Sequence, residues 1–343
     1  MNFTRKKYYL FIILCSCTVL GNLTAQEKTK YFQLSAPAKK LTKSNYNSVK
    51  FIDNREDTTN FGIVRIGALN KEAAVVTPIG IGEQLNQLLF ELNPENSGKG
   101  EILFQLRKLK FIEKAEGLKE FGYCFFRANM YTYSGDKYRQ IAIIDTFLTV
   151  ESRDVTKLIF EKTDKAIVKF FLSSLEKDTA NTTAYTREEI ANIDEVEKQK
   201  IKLYNVDVLT DGIYSTFQTF RDQTPDFTLF SITFEDGEIS EIKARNKNGK
   251  VKKMKSDNVY AIVNKGKAYI SAEFGFYPLV KNNNDFYFIG DDKQHYIKGQ
   301  IVKSHSLLDP TEYVYSPLPL TSQYEIKVDH LNGKFMRVKE IKE

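Results

Sequence analysis

Cysteine, histidine and long apolar segments are all scarce in this 343-residue sequence. Of the three cysteines, Cys15 and Cys17 lie in an N-terminal segment that we expect to be removed. A chain that keeps only Cys124 forms no internal disulfide, so its fold must depend on a hydrophobic core. Cys124 lies in an aromatic run, where a small buried apolar residue is a simpler interpretation than a nucleophile.

The apolar stretch over residues 10–20 is too short for a membrane-spanning helix, which needs about 20 residues. Three cations at residues 5–7 precede it, and the small residue Ala25 follows it, in the order typical of a secretory signal. We therefore expect residues 1–25 to be a cleaved signal peptide and the mature chain to have no transmembrane helix.

A lipoprotein signal is the alternative, because Ser16 and Cys17 end a sequence that resembles a lipobox. The apolar stretch continues through residues 18–20, which favours ordinary cleavage. Both interpretations predict export to the periplasm or to the outer membrane, and in the second the protein is lipid-anchored through Cys17.

Neither sign of charge is in large excess. Without the three cations of the signal segment, the formal net charge falls from +6 to +3. The composition, 42% hydrophobic and 27% charged, excludes a disordered, collagen-like or multi-span membrane protein. We predict no binding of nucleic acid, and at roughly 100–200 residues per domain the length allows two domains.

The pattern of apolar residues in the N-terminal half of the sequence predicts an α+β domain over residues 48–177, which follows a polar leader over residues 26–47. After short strands, one helix face carries five apolar residues at helical spacing: Ile81, Leu85, Leu88, Leu89 and Leu92. The alternation that begins at Glu101 then slips around Arg107 and Lys108, which predicts a strand with a bulge.

Two long aromatic and β-branched runs, at residues 121–133 and 138–150, predict a hairpin. Asp154 is placed to cap a second helix that runs to Lys177, with an apolar stripe formed by Leu158, Ile159, Ala166, Ile167, Phe170 and Phe171. The predicted architecture is an antiparallel sheet with two helices on one face.

We predict a linker over residues 178–185 and a connecting helix over residues 186–204, which begins with a capping box of Thr186 and Glu189. Residues 205–343 predict a mostly antiparallel, β-rich domain that opens with a helix capped by Asp211. Five turn signals recur in it, at Asp236–Gly237, Asn248–Gly249, Lys265–Gly266, Asn282–Asn284 and Asn332–Gly333.

Catalytic and metal-binding motifs are lacking in the sequence. His295, His305 and His330 form no HExxH or HxH pair, and no GxSxG occurs. We interpret the histidines as surface or turn residues and predict no catalytic residue, metal or cofactor. Gly80 and Gly82 begin a phosphate-loop pattern that is not completed, so we expect them to loosen the first turn of a helix.

Charged residues cluster in two places. Asp53, Arg55, Glu56 and Asp57 follow the first predicted strand of the domain, and carboxylates of this kind could serve a glycan hydrolase. Seven cations straddle one turn and belong to both arms of a predicted hairpin: Lys243, Arg245, Lys247, Lys250, Lys252, Lys253 and Lys255. A solvated edge, protected from aggregation by lysine, is one interpretation of this cationic hairpin, and a surface for an anionic partner is the other.

Residues 48–176 resemble small envelope lipoproteins of Gram-negative bacteria that assist lipopolysaccharide assembly or transport. The resemblance consists of the order of elements, the Asp53-x-Arg55 motif and the pair Ile66–Gly67. Residues 212–225, with two short segments after them, are similar to uncharacterised exported proteins of such bacteria.

We therefore expect a non-enzymatic, exported cell-envelope protein that acts as a binding or assembly module for an envelope protein or for an anionic lipid or glycan surface. The alternative is an exported glycan hydrolase with paired carboxylates.

Overall fold

The computed structural model describes residues 28–38, 40–67, 71–116, 119–177, 182–246, 248–272, 275–291 and 323–341. Strands dominate this part of the chain and helices are few, in a fold that is broadly α+β. The chain divides into two compact units, which meet in sequence between Ala191 and Asn192. The predicted signal peptide lies outside the described residues.

The first unit contains a mixed sheet and three helices among its described residues. Its strands are β1 Thr29–Tyr31, β2 Tyr46–Asp53, β3 Gly62–Ile66, β4 Lys71–Val76, β5 Gly100–Glu116, β6 Lys119–Ser134, β7 Lys137–Ser152 and β8 Ala184–Tyr185. Its helices are α1 Ile81–Leu92, α2 Val155–Leu175 and α3 Arg187–Ala191. The strand order is β1-β4-β3-β5-β6-β7-β8, and β2 also pairs with β5.

The long strand β5 pairs with two short strands in succession. β2 runs parallel to residues 100–106, and β3 runs parallel to residues 111–112. The predicted bulge is confirmed between Leu106 and Lys108, where the pairing of β5 with β6 shifts register. The sheet was predicted to be antiparallel, and it is mixed, because β1, β2 and β3 each make a parallel pair. The long connection from β2 to β5, which contains α1, is the kind of crossover that a parallel pair requires.

Helix α1 matches its prediction, and all five of its expected apolar residues are buried. A Cβ on Gly82 would lie 2.5 Å from the Cβ of Phe51, so this glycine lets the helix approach β2 closely. That role replaces the predicted loosening of the first turn. Asn86 fixes the same contact, since its side chain accepts a hydrogen bond from the Val49 N–H (2.8 Å) and donates one to the Val49 carbonyl (2.7 Å).

Helix α2 shares its hydrophobic core with α1 and one face of the sheet. Phe104 of β5 meets Phe170 of the helix edge to face, with ring centroids 6.1 Å apart. Asp154 is the N-cap residue, but its side chain makes no capping hydrogen bond. Leu158 of the predicted stripe is 41% exposed, because it lies about 100° around the helix from the buried Ile159.

Two segments that were predicted to lie outside the first domain belong to its sheet. β1 pairs in parallel with β4, and Phe32 and Leu34, just after it, are buried in the core. β8 pairs with β7 through Tyr185 and Tyr138. Residues 178–181 of the predicted linker lie outside the described residues. β1 has three residues and β8 has two, too few for an alternating apolar pattern to predict either strand.

The second unit contains two antiparallel sheets among its described residues, ordered β18-β17-β16-β15-β14-β13-β9 and β10-β11-β12. Its strands are β9 Gly212–Tyr214, β10 Thr228–Glu235, β11 Glu238–Arg245, β12 Val251–Lys253, β13 Ala261–Asn264, β14 Lys267–Ala272, β15 Gly275–Asn282, β16 Asp285–Asp291, β17 Gln323–Val328 and β18 Phe335–Ile341. Its helices are α4 Ile193–Lys198, α5 Lys202–Asn205, α6 Phe217–Arg221 and a 3₁₀ turn at Ser256–Asn258.

The predicted connecting helix over residues 186–204 is broken into three short helices, α3, α4 and α5. The capping box at its start is confirmed. The Glu189 N–H donates to the Thr186 hydroxyl at 3.1 Å, and the Thr186 N–H donates to the Glu189 carboxylate at 2.7 Å. Asn192 then leaves the helical conformation, because Asn competes for backbone hydrogen bonds and favours caps and turns.

All five predicted turns join neighbouring strands of the second unit. The role of Asp211 was predicted wrongly. Its carboxylate accepts hydrogen bonds from the N–H groups of Lys265 (3.0 Å) and Gly266 (2.9 Å), so it holds the β13–β14 turn. Thr216 caps α6 instead, in a capping box with Thr219, since β9 occupies the residues directly after Asp211.

Candidate functional site

The cationic hairpin is formed by β11 and β12. Asn246 shapes its turn, because its side-chain oxygen accepts hydrogen bonds from the N–H groups of Asn248 (3.0 Å) and Lys250 (2.9 Å). Gly249 follows with φ +76°, a left-handed conformation that glycine adopts without strain. Six of the seven predicted cations lie in this hairpin or beside it, and Lys247 lies outside the described residues.

The outer face of the hairpin places two lysines side by side. Lys243 and Lys253 are direct cross-strand partners, a pairing of like charges that destabilises a sheet. Glu241 offsets the repulsion between the two lysines, because its carboxylate lies 2.8 Å from the Lys243 ammonium and 3.2 Å from the Lys253 ammonium. These two hydrogen bonds lower the pKa of Glu241, which therefore stays ionised near neutral pH.

Two further cations lie against aromatic rings. The Arg245 guanidinium is 5.1 Å from the ring centre of the exposed Phe230, and the Lys252 ammonium is 5.1 Å from that of Phe227. Such contacts hold the side chain but leave its full charge. Within the described residues, Lys250 and Lys255 make no ion pair. The described part of the hairpin thus presents six cations, two of which pair with Glu241, while the other acid of β11, Glu238, lies at the opposite end of that strand from Arg245.

β12 is the edge strand of its three-stranded sheet, and all three of its residues are exposed. The opposite side of β11 is anchored, because Ile242 and Ala244 are buried in a hydrophobic cluster with Val259 and Ile262. The core therefore holds the hairpin while its edge and outer face meet solvent. Lysine on an edge strand prevents sheet-to-sheet aggregation, and the same cations suit an anionic surface.

A second charged site lies in the second unit and was not predicted from the sequence. The side chain of Lys198, at the end of α4, is almost fully buried between Asp285 (2.8 Å) and Glu195 (2.7 Å). Lys327 binds the other oxygen of Asp285 at 3.0 Å. Burial disfavours the charged form of Lys198, but the hydrogen bonds to Asp285 and Glu195 outweigh it and raise the pKa of Lys198.

Beside this network, three potential metal ligands come together. The donor atoms of Asp194, Glu197 and His330 all lie within 4.8 Å of one another. His330 is 3% exposed, and its Nε2 is 2.9 Å from Oε2 of Glu197. His330 does lie in a turn, as predicted, but it is buried and not at the surface. His295 and His305 lie outside the described residues.

The other candidates from the sequence have local structural roles. Arg55 forms a fork with Asp53, at 2.9 Å and 2.8 Å, and stacks over the Phe61 ring at 4.0 Å. Asp57 accepts hydrogen bonds from the N–H and hydroxyl of Thr59, which lower the pKa of Asp57. These contacts organise the loop that joins β2 to β3.

Cys124 is fully buried in the core of the first unit, which agrees with its interpretation as a small apolar residue. Burial raises the pKa of its thiol to about 12. A thiol in such surroundings is a poor nucleophile at neutral pH.

Comparisons with family models, curated proteins and solved structures gave no match to this chain. The resemblance of residues 48–176 to envelope lipoproteins therefore stays a prediction. In the part of the chain that the structure describes, no helix is both long and apolar enough to cross a membrane.

Proposed function

We propose that this chain is an exported, non-enzymatic cell-envelope protein that binds an anionic surface through its cationic hairpin. The observation that carries the proposal is the exposed edge of the hairpin. Lys250 and Lys255 flank the exposed strand β12 and make no ion pair within the described residues, and Arg245 of β11 stacks on the exposed ring of Phe230. Lysines near an anionic membrane contribute about 1 kcal/mol each. At that value the six described cations together contribute about 6 kcal/mol, which corresponds to a dissociation constant on the order of tens of micromolar.

The proposal includes the predicted architecture, an α+β domain followed by a β-rich domain, and the resemblance of the first domain to lipoproteins that serve lipopolysaccharide. Lipid A carries phosphates, and phospholipid head groups carry the same chemistry. Export follows from the signal segment of residues 1–25. Intact mass of the envelope form distinguishes a chain that begins at Gln26 from an acylated chain that begins at Cys17.

Vesicle sedimentation tests the binding role. The mature chain should co-sediment with vesicles that contain phosphatidylglycerol and should stay in solution with pure phosphatidylcholine. Replacing Lys250, Lys252, Lys253 and Lys255 with Gln should lower the affinity by about 4 kcal/mol, roughly a thousandfold. Stability should change by less than about 0.5 kcal/mol per site.

Two results would overturn this role. One is equal binding of the wild-type chain to both kinds of vesicle, and the other is full binding by the four-lysine variant. Salt gives an independent check, because exposed charges are screened over about 8 Å at physiological ionic strength. Binding should therefore weaken steadily as salt is added.

The alternative function, that of a glycan hydrolase, requires two carboxyl groups about 5–9 Å apart that face a cleft.

A further inference from the structure

We propose that Asp194, Glu197 and His330 form a binding site for a divalent transition-metal ion, with Zn²⁺ as the expected occupant. The site is independent of the cationic hairpin. One imidazole nitrogen and two carboxylates are a ligand set that Zn²⁺ accepts in proteins. Mg²⁺ and Ca²⁺ prefer oxygen ligands alone, so the buried imidazole selects against them.

The fold brings these ligands together from distant parts of the sequence. Asp194 and Glu197 are three residues apart on α4, a spacing that places both carboxylates on one side of a helix. His330 lies in the turn between β17 and β18. The sequence separation between Glu197 and His330 is 133 residues, so the convergence is a product of tertiary structure.

The imidazole of His330 is held in a fixed position. Asp329 shapes its turn, since the carboxylate accepts a hydrogen bond from the Leu331 N–H (3.0 Å) and the carbonyl accepts one from the Gly333 N–H (2.8 Å). The Tyr204 ring packs against the imidazole edge to face, with centroids 6.5 Å apart. A ligand that is fixed before the ion arrives loses little conformational entropy on binding.

The distances suit a small cation. Zinc bonds of about 2.0–2.2 Å place neighbouring tetrahedral ligand atoms about 3.4 Å apart. Nε2 of His330 and Oε2 of Glu197 are already 2.9 Å apart. The ion would take the place of the proton that joins them, and that proton would leave to solvent. The donor oxygen of Asp194 lies within 4.8 Å of both atoms, and its side chain is exposed, so a short movement of that side chain completes the ligand set.

The nearest cation on the same helix is directed elsewhere. Lys198 follows Glu197 directly, but its ammonium lies between Glu195 and Asp285. Three protein ligands leave one position of a tetrahedral zinc ion for water, the arrangement of an open site. The proposal assigns binding to this site and no reaction.

Zinc titration of the metal-free mature chain tests the proposal, with a chromophoric chelator as competitor. We expect one Zn²⁺ per chain and a higher melting temperature when zinc is present, since a ligand of the folded state stabilises it. Asp194→Asn and His330→Gln should each weaken zinc binding at least about tenfold. Substituting a residue that only hydrogen-bonds to a metal ligand already lowers metal affinity about 10- to 100-fold. The first variant alters an exposed side chain, so its fold should be retained.

Two matched controls make the result specific. Glu195→Gln removes a carboxylate from the same helix, and the double change of His295 and His305 to Gln removes the other two imidazoles of the chain. Both variants should keep one zinc ion with an affinity within about threefold of wild type. The proposal is overturned if no zinc binds, if Asp194→Asn binds like wild type, or if either control loses the ion.

Discussion

Glu241→Gln gives a specific test of how the cationic hairpin works. The Glu241 carboxylate lies 2.8 Å from the Lys243 ammonium and 3.2 Å from the Lys253 ammonium, so it pairs with two of the six described cations of the hairpin. Gln keeps the size and polarity of the side chain but removes its charge. The variant should therefore bind anionic vesicles more tightly than the wild-type chain, although it loses two ion pairs.

The expected gain is about fivefold in affinity, the effect of one elementary charge beside an anionic membrane. Vesicle sedimentation at fixed ionic strength measures it. Glu238→Gln is the matched control, because it makes the same change of net charge on the same strand. Glu238 lies three residues from Glu241, about 10 Å along a strand, which is beyond the screening length at physiological salt. We expect less than a twofold change from the control.

The pH dependence supplies a second criterion. Hydrogen bonds from Lys243 and Lys253 lower the pKa of Glu241, so wild type and variant should differ at neutral pH and become alike as pH falls through that lowered pKa. Tighter binding by both variants to the same extent would show that only net charge matters. Weaker binding by Glu241→Gln would show that the carboxylate is needed to organise the lysines, and the account of the hairpin would be wrong.

Three further predictions concern the first unit. Leu89→Ala should lower the free energy of unfolding by about 2–5 kcal/mol. Phe90 is 84% exposed, so Phe90→Ala should change that free energy by less than about 0.5 kcal/mol. Chemical denaturation measures both changes, and equal effects would refute the packing of α1. Burial raises the pKa of Glu113, although hydrogen bonds from the Thr156 hydroxyl and the Arg65 N–H oppose this shift. The contribution of Glu113 to stability is therefore fully present below pH 4.5 and is lost as pH rises through the raised pKa. Glu113→Gln should abolish that part of the pH dependence of unfolding, and an unchanged pH profile would contradict this prediction. Cys124 should resist a thiol reagent in the native mature chain at pH 8 and react only on unfolding, so rapid native labelling would be inconsistent with its burial.

Local patterns predicted much of this fold because their signals are complete within a few residues. The apolar stripe of α1 repeats at helical spacing over twelve residues. The phase slip in β5 marks a bulge through side chains that change face. The capping box at Thr186 needs only two residues at the right separation. In each case one element contains the whole pattern.

The features that were missed depend on partners far away in sequence. The parallel pairing of β2 with β5 is decided by a connection that contains a helix and two strands. Asp211 stands before a short apolar run as a helix cap would, yet its partners lie more than fifty residues later. His330 meets Glu197 across 133 residues. No periodicity within a segment carries such information.

The two charged sites also differ in how much of each could be predicted from the sequence. The cationic hairpin was visible in the sequence because its residues flank one turn, but the ion pairs of Glu241 and the ring contacts of Arg245 and Lys252 emerge only from the strand register. The metal-ligand cluster required the assembled second unit. Its sequence signal is limited to two acids three residues apart on α4, a spacing that is common on solvated helices.

Site-specific photocrosslinking in native envelopes tests the proposed function most directly. A photoreactive lysine analogue replaces Lys250 in one variant, and it replaces Lys267, an exposed lysine of the β13–β14 hairpin, in the matched control. The account predicts crosslinks from position 250 to phosphate-bearing lipid or glycolipid, which disappear at high salt, and few or none from position 267. Equal crosslinking from both positions, or none from position 250 while the protein is present in the envelope, would contradict it.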